Sequence, residues 1–293
     1  MTRFVYIADT HFGADPMGYQ MQPGYADRLR EIMAALVRWI RGDGRIDFVL
    51  HGGDMVDLAT DANIAAAGEL FALPAPVYLC LGNHDLTGRD AVVRWLAAGP
   101  RFFAGSAYRP AAASYSVRKG DCMLHVAPNH WNDRADYYWD DELTARLDAD
   151  QVAAITAAAA EHADVLNIIC THSPTLAVPT EQTGCDQFHA PAGAFTDCML
   201  DLARRTGARL ILGAHSHANM HVERDGIHVV TVSALVETPM EFKLIEIDAP
   251  HLRMTTHSLA DMLTFPMDYD PANAFVHGRT CDRQFDDGGE AEA

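Results

Sequence analysis

Val77-Tyr78-Leu79-Cys80-Leu81-Gly82-Asn83-His84-Asp85 is an unbroken apolar run that ends on a glycine and three polar side chains able to bind cations or move protons. A short apolar run bounded in this way reads as a buried strand opening into a loop, and the helical spacing near 88–98 completes one β–α unit. The same grammar occurs upstream. Arg3 to Ala8 is a strand-like run closing in Asp9-Thr10-His11, followed by a loop rich in Gly, Pro, Met and Tyr (12–24). Leu29, Ile32, Met33, Leu36, Val37 and Ile40 then recur at helical spacing within 25–41. Phe48 to Leu50 leads to Gly52-Gly53-Asp54 and a helix near 61–72. Successive units of this kind predict a largely parallel sheet covered by helices.

Downstream the pattern changes. Ser114–Val117 and Cys122–Ala127 predict a hairpin around Lys119-Gly120-Asp121, followed by an aromatic loop from His130 to Trp139. An Ala-rich helix over 142–161 leads to a strand over 165–170 that ends in Thr171-His172. After a long polar loop come a helix near 192–206, a strand over 208–212 and His215-Ser216-His217. Segments 219–223, 227–232, 241–247 and 251–257 alternate as antiparallel strands do, with Asp225-Gly226 as a turn. The expectation is an α/β chain with two packed sheets flanked by helices, forming one domain over 1–265. Residues 266–293 form a C-terminal arm whose last eight residues, from Asp286, are too polar to order themselves. Phe275, Arg279, Arg283 and Phe285 could anchor that arm on its own body or on a second copy in a homo-oligomer.

Five polar clusters each close a strand-like run. Asp9 and His11, two apart on an extended strand end, point to the same side and can share a cation. Asp54 follows two glycines that let backbone approach, and its two oxygens can bridge two ions. Asn83 offers a neutral oxygen, while His172, His215 and His217 complete nitrogen-rich sets of the kind borderline divalent metals prefer. Any one such element is far more often a cap, a turn or a surface residue. Five in order, each at the end of a run, multiply into a coherent site.

On these motifs, Asp9 to His217, the chain resembles the calcineurin-like metallophosphoesterases, whose signature runs DxH, GD, GNH[DE], H and GHxH. The resemblance implies a four-layer α/β/β/α sandwich with two mixed sheets. It implies Asp9, His11 and His217 on one metal, Asn83, His172 and His215 on the other, and Asp54 bridging. Ala214 stands where the family usually has glycine before the first histidine of the last motif. One methyl group should leave ligation intact. The expected cofactors are two divalent or mixed-valence ions of the Mn, Fe or Zn kind, bridged by Asp54 and a hydroxide that serves as nucleophile.

His84 diverges from Asn83 on an extended segment, which frees it to protonate the leaving oxygen or stabilise charge, with Asp85 orienting its ring. Asp85 reads equally well as a helix N-cap. Asp57 reads as a helix-start residue or as a partner of a liganding histidine. His51, His125, His162, His221, His228, His251, His257 and His277 match no cluster and read as structural or solvated. Phe12, Asn129, His130, Trp131 and His189 lie in loops after strand ends and are the candidate substrate contacts. Tyr19, Tyr137, Tyr138, Trp139 and Phe188 could add aromatic surface for a base or an apolar leaving group.

The residues argue against several branches. Protein serine/threonine phosphatases carry an Arg after GDxVD, where this chain has Leu58; purple acid phosphatases place a Tyr ligand where Asp57 stands. The chain is most similar to the small bacterial branch of class III cyclic-nucleotide and glycerophosphodiesterases. The expectation is therefore a phosphodiesterase on small soluble substrates. A phosphomonoesterase acting on nucleotides or sugar phosphates is the alternative, although Arg134 is the sole Lys or Arg in loops 12–24, 129–139 and 173–191. A non-catalytic scaffold, as in a retromer subunit of the superfamily, is disfavoured because His84 and every ligand are present.

Composition narrows the partners. Asp and Glu number 40 against 22 Lys and Arg, a net charge of −18. Such a surface repels nucleic acid polymers and anionic membranes, whereas bound cations would dominate the field felt by a small phosphorylated substrate. The six cysteines show no CxxC spacing and read as reduced core residues. A strand-like run beginning at Arg3 leaves no room for a signal peptide, and no stretch approaches 18 apolar residues. A cytoplasmic protein is expected.

Overall fold

Two six-stranded mixed sheets form the centre of the molecule. The structure, a computed structural model, describes residues 1–14, 20–103, 113–132, 137–140, 144–184 and 188–288. In the first sheet β1 (Thr2–Ile7), β2 (Phe48–His51) and β3 (Val77–Leu79) run parallel, as the β–α units predict. Their crossovers are α1 (Leu29–Asp43) and α2 (Asp61–Leu70), with α3 (Ala91–Ala98) following β3. The second sheet has β4 (Tyr115–Lys119), β5 (Cys122–Val126), β6 (Leu166–Cys170), β7 (Ala208–Gly213), β8 (Met220–Arg224) and β9 (Ile227–Thr231), in the order β4-β5-β6-β7-β9-β8. The helix expected over 142–161 starts later, as α4 (Ala149–Glu161), because Asp148 caps it by accepting from Gln151 N at 2.7 Å. The short α5 (Thr180–Thr183) and the longer α6 (Gly193–Thr206) precede β7.

The C-terminal strands divide between the sheets. The Asp225-Gly226 turn, with φ of 55° and 75°, closes the β8–β9 hairpin, and β9 then pairs parallel with β7. β10 (Glu241–Asp248) and β11 (His251–Ser258) cross to the first sheet, where β10 pairs antiparallel with β1. Tyr6 ties the two layers together by donating its hydroxyl to Gly213 O at 2.8 Å. This puts the ends of β1, β2, β3, β6 and β7 side by side.

The arm is folded over residues 270–288. A 3-10 segment (Pro271–His277) is followed by α7 (Thr280–Arg283) and β12 (Gln284–Asp286), which adds to β11. The expectation of disorder from Asp286 is corrected for 286–288: Asp287 N donates to Leu252 O, and Leu252 N donates back to Asp287 Oδ1. Residues 289–293 lie outside the described residues, as do Tyr19, Arg134 and Cys185. Phe285 stacks on His221 and His228, and Arg283 pairs with Glu241, so these side chains are engaged within the chain. Cys80, Cys122 and Cys170 are buried as expected, but Cys198 is half-buried and Cys281 exposed because they sit on α6 and α7 rather than on strands. Among the described residues no helix is long and apolar enough to cross a membrane.

Candidate metal centre

The signature residues meet where these strands end, and the backbone there leaves the ordinary regions. Asp9, His11, Asp54, His215 and His217 all have φ between 41° and 64°. A left-handed conformation costs a non-glycine residue on the order of 1 kcal/mol or more, and such strain collects at functional sites. The convergence of Asp9 and His11 therefore has a cause other than the expected strand alternation. Both lie beyond β1, and left-handed turns aim them inward. The turns are held by neighbouring chain: Asp9 N donates to Gly53 O, and Thr10 N and His11 N both donate to Asp54 O, each at 2.9 Å. Gly53 adopts φ 116°, and a Cβ there would lie 2.3 Å from His172 Nδ1; a Cβ on Gly82 would lie 2.2 Å from Asp54 Oδ1. Only glycine permits this approach.

Three groups of atoms able to hold a cation result among the described residues: Asp9 with His11 and His217, Asp54 with His172 and His215, and, sharing His11, Asp57 with His84. Asn83 Oδ1 joins the second group at 3.1 Å from His172 Nε2. Asp54 Oδ2 lies 3.2 Å from His172 Nε2 and 3.9 Å from His11 Nε2, between the first two groups, as a bridge requires. The residues fit a pair of cations. Asp9 Oδ1 is fully buried without a hydrogen-bond partner, 3.7 Å from His217 Nε2 and 4.0 Å from His172 Nε2. An orphaned carboxylate oxygen facing imidazole nitrogens is a donor set that a bound cation would satisfy.

The histidines are oriented from outside the ligand set. His172 Nδ1 lies 2.8 Å from Gly52 O, and His217 Nδ1 lies 2.5 Å from Glu237 Oε1. Both partners only accept, so Nδ1 carries the proton and Nε2 is left to ligate. Burial opposes charge on both rings, yet Asp54 lifts His172 to about 9, and Glu237 with Asp9 lifts His217 to about 9. Burial likewise opposes ionisation of Asp54, but the neighbouring histidines hold it well below the usual carboxylate range. Glu237 was not singled out from sequence. Its signal was an acid immediately after the largely apolar stretch Val232–Val236 and directly before Thr238-Pro239.

Asp85 requires a correction. Its carboxylate does not orient His84; it accepts from Met55 N, Val56 N and Gly82 N at 3.0–3.2 Å and so braces the two loops that carry Asp54 and Asn83. It is not an N-cap either, since it sits inside the 3-10 turn His84–Leu86 that Asn83 begins. That turn, rather than an extended segment, separates the His84 side chain from Asn83. His84 Nδ1 faces Asp57, 3.1 Å from both its Oδ1 and its carbonyl oxygen. Burial opposes protonation of His84, but Asp54 and Asp57 outweigh it and raise the ring to about 9.

The substrate-contact candidates divide. Trp131 is buried against His215 and His172, with ring centroids 5.3 and 6.0 Å away, and His189 stands edge-on to His215 at 5.3 Å. Asn129 Oδ1 accepts from Ser173 N at 2.7 Å, beside His172. His130 and Phe12 are not brought to the ligands by these contacts. The His130 ring stacks on Tyr137 and reaches Asp148, while Phe12 packs on the core and bridges to Val56. Trp139 lies nearer the chemistry, its ring 5.0 Å from His84. His51 is structural, wedged between Thr10 Oγ1 and Gly53 N.

The fold recurs in proteins of distant sequence. A dimetal phosphatase from Danio rerio shares 14% identity over 88% of this chain and 96% of its own, with a TM-score of 0.68. A purple acid phosphatase from yellow lupin shares 14% over 90% of this chain and 52% of its own, with a TM-score of 0.60. GAP50, the anchor in the inner membrane complex of Plasmodium, shares 13% over 92% and 89%, with a TM-score of 0.56. No curated protein matches the chain. The calcineurin-like phosphoesterase family model matches residues 2–219, which span every candidate ligand described above. With its sheets, its motifs and its paired ligand groups in place, this chain belongs to the calcineurin-like phosphoesterases, a family of dinuclear-metal-dependent hydrolases.

Proposed function

We propose that the protein hydrolyses small soluble phosphodiesters. The carrying observation is the position of His84: its Nδ1 is committed to Asp57, beside the ligand His11, and its ring lies next to the aromatic face of Trp139. When bound, the two cations supply electrophilic pull on a phosphoryl oxygen and acidify a shared water. Asp9, His11 and His217 would hold one, Asn83, His172 and His215 the other, and Asp54 both. With Nδ1 engaged, His84 carries its transferable proton on Nε2, suited to a departing alkoxide. Cations bound at Asp54 would press its pKa down from about 9 and make that proton easier to give.

The electrostatics favour a diester over a monoester. A phosphomonoester dianion wants a fixed basic side chain, yet the ion pairs of Asp9 and Asp54 among the described residues are all with histidines. Trp139 beside His84 offers a flat apolar surface to the leaving group of either kind of ester. The test compares bis-p-nitrophenyl phosphate with p-nitrophenyl phosphate on protein loaded with Mn²⁺ and on chelator-treated protein. Metal-dependent turnover favouring the diester supports the reading. Preference for the monoester shifts it to a phosphomonoesterase, and no turnover of either shifts it to a scaffold.

A further inference from the structure

We infer that the C-terminal arm is part of the metal site, acting on the ligand His217 through Gln22 and the positioning residue Glu237. The inference rests on the dinuclear reading above and deepens it. The family match ends at Asn219, two residues past His217, so Glu237 and the arm lie outside what that match covers.

The connection is continuous. Glu237 is 2% exposed, and both its oxygens are used: Oε1 meets His217 Nδ1 at 2.5 Å, and Oε2 accepts from Gln22 N at 2.8 Å and Met21 N at 3.2 Å. Those two amides fix where the carboxylate sits, and the carboxylate fixes which way the imidazole points. Gln22 is itself 2% exposed and clamped to the arm. Its Nε2 donates to Asp270 O at 2.8 Å, and Asp270 N donates to its Oε1 at 2.9 Å. Loop 20–24 is thus held by the arm on one side and holds Glu237 on the other.

A second route runs along the backbone. Asn219 N donates to Val276 O at 2.7 Å, and Gln182 Nε2 joins Asn219 O and Phe275 O at 2.7 and 2.8 Å. Ala218, between His217 and Asn219, is buried against Val276 in a small apolar cluster separate from the main core. Behind its ring and along its chain, His217 is therefore set by residues of the arm. A carboxylate behind a liganding histidine fixes its tautomer and raises its basicity, and losing such a partner costs about 10- to 100-fold in metal affinity. The effect should fall on the position built from Asp9, His11 and His217. His172 takes its orientation from Gly52 O and should be spared.

The experiment is Co²⁺ titration of chelator-stripped full-length protein, read by visible absorption and by bound metal per chain, for wild type, Glu237→Ala and Gln22→Ala. Wild type should take up two equivalents. Glu237→Ala should weaken one of them by about 10- to 100-fold and leave the other. Gln22→Ala keeps the backbone amide that binds Glu237 and loses the clamp, so it should weaken the same equivalent by a smaller factor. Adding Gln22→Ala to His217→Ala should then cause no further loss. Two unchanged equivalents in both variants, or equal weakening of both, would overturn the inference. If Glu237→Ala does not fold, the Gln22→Ala pair of measurements decides alone. Fewer than two equivalents in wild type would overturn the dinuclear reading itself and, with it, this inference.

Discussion

His84 Nδ1 lies 3.1 Å from Asp57 Oδ1, and the same oxygen lies 3.7 Å from Nδ1 of the ligand His11. One carboxylate thus addresses both the proposed proton donor and a proposed metal ligand. Burial opposes its ionisation, yet the two histidines hold Asp57 far below the usual carboxylate range. The negative charge that favours the His84 proton is therefore present throughout the neutral range.

Replacing His84 by Ala should retain both cations and lower kcat by roughly 10²- to 10⁴-fold, the range for loss of a general acid. The loss should be greatest for esters with poor leaving groups, which a comparison of p-nitrophenyl and alkyl diesters reads directly. Equal loss on both would assign His84 to charge stabilisation instead.

Asp57→Asn removes a charge that holds the proton on His84. The folded pKa of the ring should fall, so the alkaline limb of the kcat profile, where the acid form is lost, should move to lower pH. A limb that stays in place would detach Asp57 from the proton donor.

Asp54→Ala should weaken both metal positions severely, since Oδ2 stands between the two ligand groups. Metal analysis of the purified variant checks this, and two fully occupied positions would remove the bridging role.

Cation affinity should rise with pH. Before a cation binds, His172 and His217 hold protons up to about 9, whereas ligation needs neutral imidazole nitrogen. Below that pH each must release a proton, so affinity should fall about tenfold per pH unit for each position. Calorimetric titration in buffers of different ionisation enthalpy would count the protons; none released would contradict the charges assigned to these rings.

Lys243 is wholly buried, donating to Thr256 Oγ1 and Asp282 O, and burial outweighs Glu241 to bring it down to about 7. An unfolded lysine titrates near 10.4, so between about 7 and 10 the unfolded chain holds a proton that the folded chain lacks. Stability attributable to this group therefore rises with pH across that window. The urea midpoint of wild type should rise relative to that of Lys243→Met from pH 7.5 to 9.5, and a constant difference would show a charged Lys243 throughout.

Much of the site was legible because ligand chemistry restricts residue type: a carboxylate, an amide or an imidazole must stand where a cation binds, and each stood at the end of an apolar run. The β–α units around 3–98 and the hairpins at 119–122 and 225–226 were legible for a similar local reason, since spacing and turn residues act over a few positions. Neither the left-handed backbone at Asp9 and His11 nor the 3-10 turn at Asn83 could be read in this way. Those conformations are held by hydrogen bonds that Asp9, Thr10, His11 and His84 donate to Gly53 O and Asp54, distant in the chain.

By itself, then, the amino-acid sequence determined the two-layer β core and pointed to the candidate ligand set and the candidate proton donor, because these depend on side-chain type and local periodicity. Only the tertiary structure decided that β10 returns to β1 and brings β11 with it, that Asp85 braces two loops while Asp57 faces His84, and that Glu237 and the arm stand behind His217. Apart from the Asp85–Gly82 bond, these are pairings across 20 to 248 residues of chain. A buried carboxylate takes whichever donors the packed fold brings within about 3 Å, and no local pattern records which those will be.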